Sequence, residues 1–248
     1  FLASSESVSL HGTRRPVADL STGRLVETPQ EIAGMLDAYL GLGATNGVVT
    51  PGSSLVTGYG FLTDGADEIH DHLSAGIGGT QNRTLITDYD ISPGVTTPVG
   101  AQPSRSASWT ADNLRSALLG PPRNDLIFLA GHFSANDALA ADYKTNVLTT
   151  ELPASSTDMV NSIVFSAGCH TGYNIVNGHA TTWTEPLDWA QAFAQKRATL
   201  ISGTGYQYGH TDFIAHGERL YAEFARQLRI TSQEGVAEPV AVGSALLI

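Results

Sequence analysis

The chain of 248 residues contains a single cysteine, Cys169. One cysteine excludes an internal disulfide and any zinc site built on several thiolates, but it leaves a reactive thiol open. Basic residues are also scarce, since 13 Lys and Arg stand against 24 Asp and Glu, a formal net charge of -11. Because nucleic-acid binding requires a basic surface, we expect no nucleic-acid partner. Solubility or attraction of a basic substrate accounts for the acidity.

Several segments that define other protein classes are missing. No apolar run reaches the length of a membrane span, and residues 1–12 carry neither the basic nor the apolar region of a signal peptide. The chain has no Gly-x-Ser-x-Gly elbow, Walker loop or Gly-rich dinucleotide fingerprint. These absences disfavour serine hydrolases and nucleotide-binding enzymes. Hydrophobic residues make up 42% of the chain, which is typical of a globular protein with a sizeable core.

Helix and strand signals alternate along the chain. A capping residue, Thr28, followed by Pro29 and Glu31 predicts an amphipathic helix that ends at Gly41 and Gly43. Further helices are expected over 65–74, from Thr110 to 118, from 184 through Phe193, and with Leu220, Phe224 and Leu228 on one face. Short strands are expected over 47–50 and 84–87, and a Pro/Gly loop over 92–104.

Three apolar runs of strand length end in small residues: Asp125–Gly131, Ser162–Gly168 and Ala198–Gly203. Continuous apolarity indicates strands that are covered on both faces, as in a parallel sheet. Strands alternating with helices predict a doubly wound α/β domain, whose ligand crevice lies at the carboxyl ends of the strands. His132 follows the first run and Cys169 follows the second, so we expect the imidazole and the thiol at the same edge.

A lone cysteine is most often buried and structural. Its position after a strand favours exposure, Gly168 lets a substrate approach closely, and a helix starting after Cys169 would help to ionise the thiol. The other histidines carry weaker signals. His70 and His72 fall on different faces of a helix, so no metal site is expected, while His170 is interpreted as lining the edge and His210 and His216 as loop or capping residues.

Four segments together resemble the gingipain-type cysteine peptidases of the caspase-like group: GRLVETPQEIAGMLDAYL (23–40), LIFLAGHFSA (126–135), SIVFSAGCHTGYN (162–174) and ATLISGTGYQYG (198–209). The resemblance implies a caspase-like α/β fold, with a mostly parallel central sheet and helices on both faces. It also implies a cysteine endopeptidase that acts on a polypeptide substrate with no metal and no cofactor, and a secreted or cell-surface location.

The resemblance implies a role for particular residues as well. Cys169 would be the nucleophile, His132 the general acid and base, and the amides of Cys169 and Phe133 the oxyanion hole. The primary pocket would lie between the loop after Val48-Val49 and the loop after Gly203, lined by Ser53, Ser54, Tyr206, Tyr208 and Asp212. Arginine-cleaving relatives have an acid where this chain has Ser53-Ser54. Asp212 and Asp88 are the candidates to replace it, and the alternative is that both are solvated loop charges.

Two departures from the family pattern leave alternatives open. Phe133 stands where the family commonly has glycine, and the chain begins close to the Gly-Arg-Leu segment at Gly23. Residues 1–248 are therefore interpreted as one domain, incomplete at both ends, that another chain or another segment of the same precursor completes. A catalytically inactive caspase-like module that binds partners is the main alternative. A redox-sensing thiol is disfavoured because the chain has no second cysteine to resolve it.

Overall fold

A computed structural model describes residues 6–10, 13–17, 21–42, 48–77, 81–87, 108–174, 187–210, 212–228 and 240–246. Its strands are β1 (Glu6–Leu10), β2 (Thr13–Val17), β3 (Ser54–Gly58), β4 (Asn82–Ile86), β5 (Leu126–Leu129), β6 (Asp137–Leu139), β7 (Asn146–Leu148), β8 (Ile163–Ser166) and β9 (Thr199–Ser202). Its helices are α1 (Pro29–Leu40), α2 (Thr63–Ile77), α3 (Ala111–Leu118), α4 (Glu151–Ala154), α5 (Trp189–Gln195), α6 (His216–Gln227) and α7 (Val242–Ala245), with a short 3-10 helix at Gly60–Leu62.

A five-stranded parallel sheet in the order β4-β3-β5-β8-β9 forms the centre of the fold. Helices cover both of its faces. On one face Leu114 of α3 and Phe193 of α5 pack in the same cluster as Ile127 of β5. On the other face, Ile69 of α2 and Phe224 of α6 share a cluster with strand side chains. The predicted α/β architecture with a parallel central sheet is therefore confirmed.

Helix starts follow the capping signals in the sequence. Thr28 accepts a hydrogen bond from the amide of Glu31, whose carboxylate accepts from the Thr28 amide in return, so α1 begins with a capping box. Thr110 and Asn113 make the same reciprocal pair at α3. The predicted helix over 65–74 corresponds to α2. The predicted loop over 92–104, the proposed helix opening at 184–186, and Gly43 and Gly47 lie outside the described residues.

Two details of the predicted elements are wrong. Residues 48–50 form no strand, and the strand of this region begins after Pro51-Gly52, at Ser54. Helix α6 buries Tyr221, Phe224 and Ala225, while the side chain of Leu220 remains 49% exposed. Phe224 and Leu228 pack against the core as predicted, and Tyr221 takes the inward position that was expected for Leu220.

Two antiparallel pairs accompany the central sheet. Strands β1 and β2 pair with each other, and β6 pairs with β7 in a hairpin that follows β5. The hairpin packs its buried residues Ala138 and Val147 into the same core cluster as α3 and α5. In the described ranges, no helix has both the length and the hydrophobicity that crossing a bilayer requires.

Candidate active site

The pairing of β5 with β8 relates His132 to Cys169. These strands are parallel neighbours, with Leu129 opposite Ser166 at their carboxyl ends, and the amide of Ala167 extends the ladder by donating to the Leu129 carbonyl at 3.0 Å. His132 lies three residues past Leu129, and Cys169 three residues past Ser166. Because paired strands lie about 4.8 Å apart, the two chain positions occupy equivalent places on one edge.

The strand order identifies the same edge as the natural crevice of the sheet. Strand β3 has its sequence successor β4 on one side and β5 on the other, so the chain reverses its direction of travel across the sheet between β3 and β5. In open parallel sheets, ligands bind outside the carboxyl ends of strands at such a switch point. Tyr59 directly follows β3, and His132 follows β5.

His132 is exposed and has aromatic neighbours on several sides. Its ring centroid lies 5.6 Å from that of Tyr59, 5.6 Å from that of Tyr143 and 6.0 Å from that of Phe61. Its backbone amide donates a hydrogen bond of 2.8 Å to the Tyr59 hydroxyl. The imidazole is therefore reachable from solvent, while its backbone is held by a buried tyrosine.

The thiol of Cys169 is partly exposed and rests against the loop that follows β9. The amide of Gln207 donates to Sγ at 3.4 Å, and the Gln207 carbonyl oxygen lies 3.8 Å from Sγ. No hydrogen bond joins Sγ to the His132 imidazole, both of which belong to the described part of the chain. Both backbone groups of Gln207 therefore contact the sulfur and hold it against this loop.

The two amides predicted for the oxyanion hole lack acceptors among the described residues. On either side of Phe133, the amides of His132 and Ser134 donate to the Tyr59 hydroxyl and to the Asp137 carbonyl. The amide of Phe133 itself makes no such bond.

The second segment shows the same pattern. The Gly168 amide donates to Ser166 Oγ at 3.0 Å, and the His170 amide donates to the Gly205 carbonyl at 2.9 Å. Between them, the Cys169 amide makes no hydrogen bond to any described residue. Two unused donors on adjacent turns are what an oxyanion site requires.

Phe133 joins these two turns by packing. A Cβ atom placed on Gly168 would come within 2.5 Å of the Phe133 ring, so only glycine leaves room for this contact. The other side of the ring stacks on Trp189, with centroids 5.8 Å apart and planes inclined by 27°. Phe133 is 7% exposed. The phenylalanine that departs from the family pattern thus fills the space between the His132 turn and α5, with its amide still unused.

The segment after Cys169 forms a turn and not the predicted helix. The amides of Thr171 and Tyr173 donate to the carbonyls of Gly168 and His170, and no helix begins within 169–174. His170 adopts a positive φ of 58°, which ends regular structure at once. Its Nδ1 lies 3.1 Å from the Thr204 carbonyl oxygen, so His170 lines the edge as expected. A helix dipole is therefore not a source of thiolate stabilisation at Cys169.

An open pocket of about 500 Å³ lies beside Gln207. Its lining consists of Tyr206, Gln207, Tyr208, Gly209, His216, Gly217 and Leu220. Tyr206 and Tyr208 are 70% and 66% exposed, and Tyr206 meets the His170 ring edge-to-face at 4.7 Å. Because the backbone of Gln207 contacts Sγ, this pocket begins next to the thiol. The structure thus brings Tyr206 and Tyr208 to the predicted site.

Ser53 and Ser54 lie at the wrong end of the sheet for this pocket. Ser54 opens β3 and pairs with Leu126, the first residue of β5, whereas His132 follows the last residue of that strand. The Ser53 hydroxyl donates to the carboxylate of Asp125, which also lies at the amino end. The prediction is wrong because the strand begins at Ser54 and does not end before it.

The candidate acids do not reach the pocket either. Asp212 is exposed, its amide donates to His210 Nδ1 at 3.1 Å, and it is absent from the described lining. Asp88 lies outside the described residues. The described lining of this pocket therefore contains no carboxylate.

Sequence reasoning missed a buried acid beneath the pocket loop. Glu218 is 1% exposed, its Oε2 accepts from the His210 amide at 2.9 Å, and no described residue donates a hydrogen bond to its Oε1. Burial, together with the nearby Asp64 carboxylate, raises the pKa of Glu218 to about 7. Tyr59 and Gln207 were also missed. A tyrosine after a strand and a glutamine in a loop carry no sequence signal of their own.

Two of the other histidines lie on α2. His72 is 3.6 Å from the carboxylate of Glu68 on the same helix, and the buried His70 Nδ1 has no hydrogen bond to a described residue. Among the residues that the structure describes, no group of three or more His, Cys, Asp or Glu side chains is suited to holding a metal ion.

Comparisons with protein-family models, with curated proteins and with solved structures found no match to this chain. What this edge of the sheet does has to be inferred from its own side chains and backbone groups. Those groups are a partly exposed thiol, an exposed imidazole on the neighbouring strand end, two unused amides and an aromatic pocket.

Proposed function

We propose that the protein is a cysteine endopeptidase with a Cys169/His132 dyad. The observation that supports this most directly is the β5–β8 register, which gives the two residues equivalent positions at the carboxyl edge of the sheet. Nucleophilic catalysis by a thiol needs a base or acid within reach, and neighbouring parallel strands carry the residues that follow them to the same edge of the sheet. The resemblance to gingipain-type peptidases in the residues around both side chains agrees with this function.

The reaction would proceed through an acyl-enzyme. The Cys169 thiolate attacks the carbonyl carbon of the peptide and forms a C–S bond, while the carbonyl oxygen gains negative charge. The amides of Phe133 and Cys169 are the donors for that oxygen. The His132 imidazolium gives its proton to the leaving amine as the C–N bond breaks. A water molecule then attacks the thioester carbon while His132 accepts its proton, and the C–S bond breaks to release the acid and the Cys169 thiolate.

The pocket beside Gln207 would accept a substrate side chain next to the scissile bond. Tyr206, Tyr208 and Leu220 make its described lining largely apolar. Since no carboxylate belongs to that lining, a large apolar side chain fits its chemistry better than an arginine does. The overall negative charge would attract substrates with basic residues further from the cleavage site.

An inactive binding module is the second candidate, and one observation favours it. No hydrogen bond joins Cys169 Sγ to the His132 imidazole, both within the described chain, so the dyad is not assembled as a contact pair. Catalytic hydrogen bonds often tighten only when substrate is bound, so open geometry does not decide between the candidates.

Activity-based labelling separates these candidates. The native protein is treated with iodoacetamide or a peptidyl acyloxymethyl ketone, and turnover is measured with a peptide library. We expect Cys169→Ala to abolish both labelling and turnover and His132→Ala to reduce both by about 100-fold or more. His170→Asn is the matched control, since asparagine tolerates the positive φ at this position. Labelling that is equal in native and unfolded protein and unaffected by His132→Ala would favour the inactive module.

A further inference from the structure

Tyr59 occupies a central place beneath His132. The residue is 2% exposed, and its hydroxyl makes two hydrogen bonds of 2.8 Å. The hydroxyl accepts from the amide of His132 and donates to the carbonyl of Leu139, which belongs to β6. One buried oxygen therefore ties the turn after β5 to the hairpin that follows it.

The ring of Tyr59 is held as firmly as its hydroxyl. It meets Trp109 and Tyr143 edge-to-face, with centroid distances of 5.4 Å to each, and it faces His132 at 5.6 Å. Gly131 passes over the ring at a φ of 155°, and a Cβ atom there would lie 2.4 Å from the ring. The chain therefore turns toward His132 directly across the face of this tyrosine, which only a glycine permits.

Phe133 forms an isolated antiparallel bridge with Ala138, in which the amides of Ser134 and Leu139 make the hydrogen bonds and the amide of Phe133 does not. The His132 amide is consumed by the Tyr59 hydroxyl, whereas the next amide, that of Phe133, is left without an acceptor in the described chain. The same hydrogen bond fixes the height of the His132 backbone above the sheet.

Aromatic rings surround the His132 imidazole. Among the residues the structure describes, no carboxylate or amide side chain hydrogen-bonds to the His132 ring, which instead contacts the rings of Tyr59, Phe61 and Tyr143. Packing against these rings restricts the orientation of the imidazole. Aromatic contacts thus take the place that a third polar residue has in catalytic triads.

We propose that Tyr59 is the positioning residue of the dyad, which holds the His132 backbone through its hydroxyl and the His132 imidazole through its ring. The inference rests on the proposed cysteine-peptidase function. Tyr59 does not touch the reacting atoms, so its effect is transmitted through His132.

The test compares Tyr59→Phe with Ser162→Ala in the full chain. Tyr59→Phe keeps every ring contact and removes only the hydroxyl. Ser162→Ala is the matched control, because it also removes a fully buried hydroxyl that donates to a backbone carbonyl, that of Asn124 at 2.7 Å, but at the amino end of the sheet. Measured quantities are kcat, KM, the unfolding midpoint, and the pH dependence of Cys169 alkylation by iodoacetamide.

If Tyr59 positions the dyad, Tyr59→Phe should change kcat and the alkylation profile much more than KM. Tyr59→Phe should lower kcat by about 10-fold or more with KM changed less than about 2-fold, because chemistry depends on alignment and binding does not. A thiolate–imidazolium pair keeps a cysteine reactive toward iodoacetamide at acidic pH. Tyr59→Phe should therefore lower the rate of Cys169 alkylation in that range. Ser162→Ala should leave kcat and the alkylation profile unchanged even if it lowers the unfolding midpoint equally.

The failure of this inference is distinguishable from that of the proposed function. An unreactive thiol and absent turnover in the unsubstituted protein would overturn both. With the unsubstituted protein active, a Tyr59→Phe variant that keeps kcat and the alkylation profile within about 2-fold would overturn the positioning role alone. A Tyr59→Phe variant that does not fold at any temperature would show that Tyr59 is structural, which also overturns it.

Discussion

Gly168→Ala is the sharpest test of how the turns that carry His132 and Cys169 are packed together. The added methyl group would lie 2.5 Å from both Cγ and Cδ2 of Phe133 and 2.7 Å from Oγ1 of Thr171. Ordinary contact begins at 3.4 Å, so at least one of these groups has to move. The Phe133 ring is backed by Trp189, whose side chain is fully buried. Thr171 Oγ1 is held by its own hydrogen bond to the Gly168 carbonyl.

The loss of unfolding free energy caused by Gly168→Ala should lie at the upper end of the range for overpacked cores. Such insertions destabilise by about 1 to 3 kcal/mol, and here neither neighbour is a flexible side-chain end that relaxes freely. We therefore expect Gly168→Ala to lower the free energy of unfolding by about 3 kcal/mol. With a urea m-value of about 3 kcal/mol/M for a chain of this size, the unfolding midpoint should fall by about 1 M.

Urea denaturation followed by circular dichroism measures this shift. Gly205→Ala is the matched control, because a Cβ atom at Gly205 meets nothing within 4 Å, and its midpoint should stay unchanged. Combining Gly168→Ala with Phe133→Leu gives a double-mutant cycle. The second substitution removes part of the ring that the methyl group strikes, so the two changes together should cost at least about 1 kcal/mol less than the sum of the single changes.

Additive effects would refute this packing, as would a Gly168→Ala variant as stable as Gly205→Ala. Either result would mean that the Phe133 ring does not lie against the glycine, and that the spacing between the two unused amides is not set by this contact.

Three further outcomes are expected. The raised pKa of Glu218 means that its folded form retains a proton between pH 4.5 and about 7, so its stabilising contribution is complete below pH 4.5 and lost as the pH rises through 7. The free energy of unfolding should therefore fall less steeply between pH 4.5 and 7 in Glu218→Gln than in the unsubstituted protein. Urea titrations at several pH values measure this, and an equal dependence on pH in both proteins would contradict it. The Arg115 guanidinium lowers the pKa of Glu151, so that stabilisation is present at neutral pH and lost in acid, and Glu151→Gln should remove this part of the acid sensitivity in thermal unfolding. In a peptide library, peptides with a large apolar residue before the scissile bond should be cleaved at least about 10-fold faster than peptides with arginine there. Tyr208→Ala should reduce that preference. Faster cleavage after arginine would exclude the aromatic pocket as the specificity site.

The central strands could be predicted because their sequences carry a strong and simple signal. The runs that became β5, β8 and β9 are apolar without interruption, and each is followed by small residues at the carboxyl edge. Parallel pairing then followed from burial on both faces. Once the strands were known to be parallel, His132 and Cys169 had to reach the same edge. The placement of these two residues was the part of the site that sequence alone determined.

Strand β3 escaped prediction because polar residues stand at buried positions within it. Ser54 and Thr57 are fully buried, and their hydroxyls are satisfied by Asn82 Oδ1 and by the backbone of Ala130. Only the neighbouring strands supply those partners, so the sequence of β3 alone looks like a loop. The Val48-Val49 pair looked more strand-like and was chosen in its place, which also displaced Ser53 and Ser54 to the wrong edge.

The surroundings of the dyad depended on distant contacts in the same way. Tyr59 reaches His132 and Leu139 across 73 and 80 positions of the chain. Glu218 is buried only because α6 packs against α2, which carries Asp64. Neither the partner of a side chain nor its burial is encoded in the few residues around it.

The ladder between β5 and β8 sets the strand ends before His132 and Cys169 side by side, whatever route the chain takes between them. The hairpin of β6 and β7 and helix α4 occupy the intervening stretch, and none of them belongs to that ladder. Residues inserted or removed at an exposed turn such as Lys144 would change the length of this connection while leaving the two strand ends in register. A fixed number of residues between the histidine and the cysteine is therefore a poor criterion for finding the same arrangement in other chains, and the pairing of the strands that precede them is a better one.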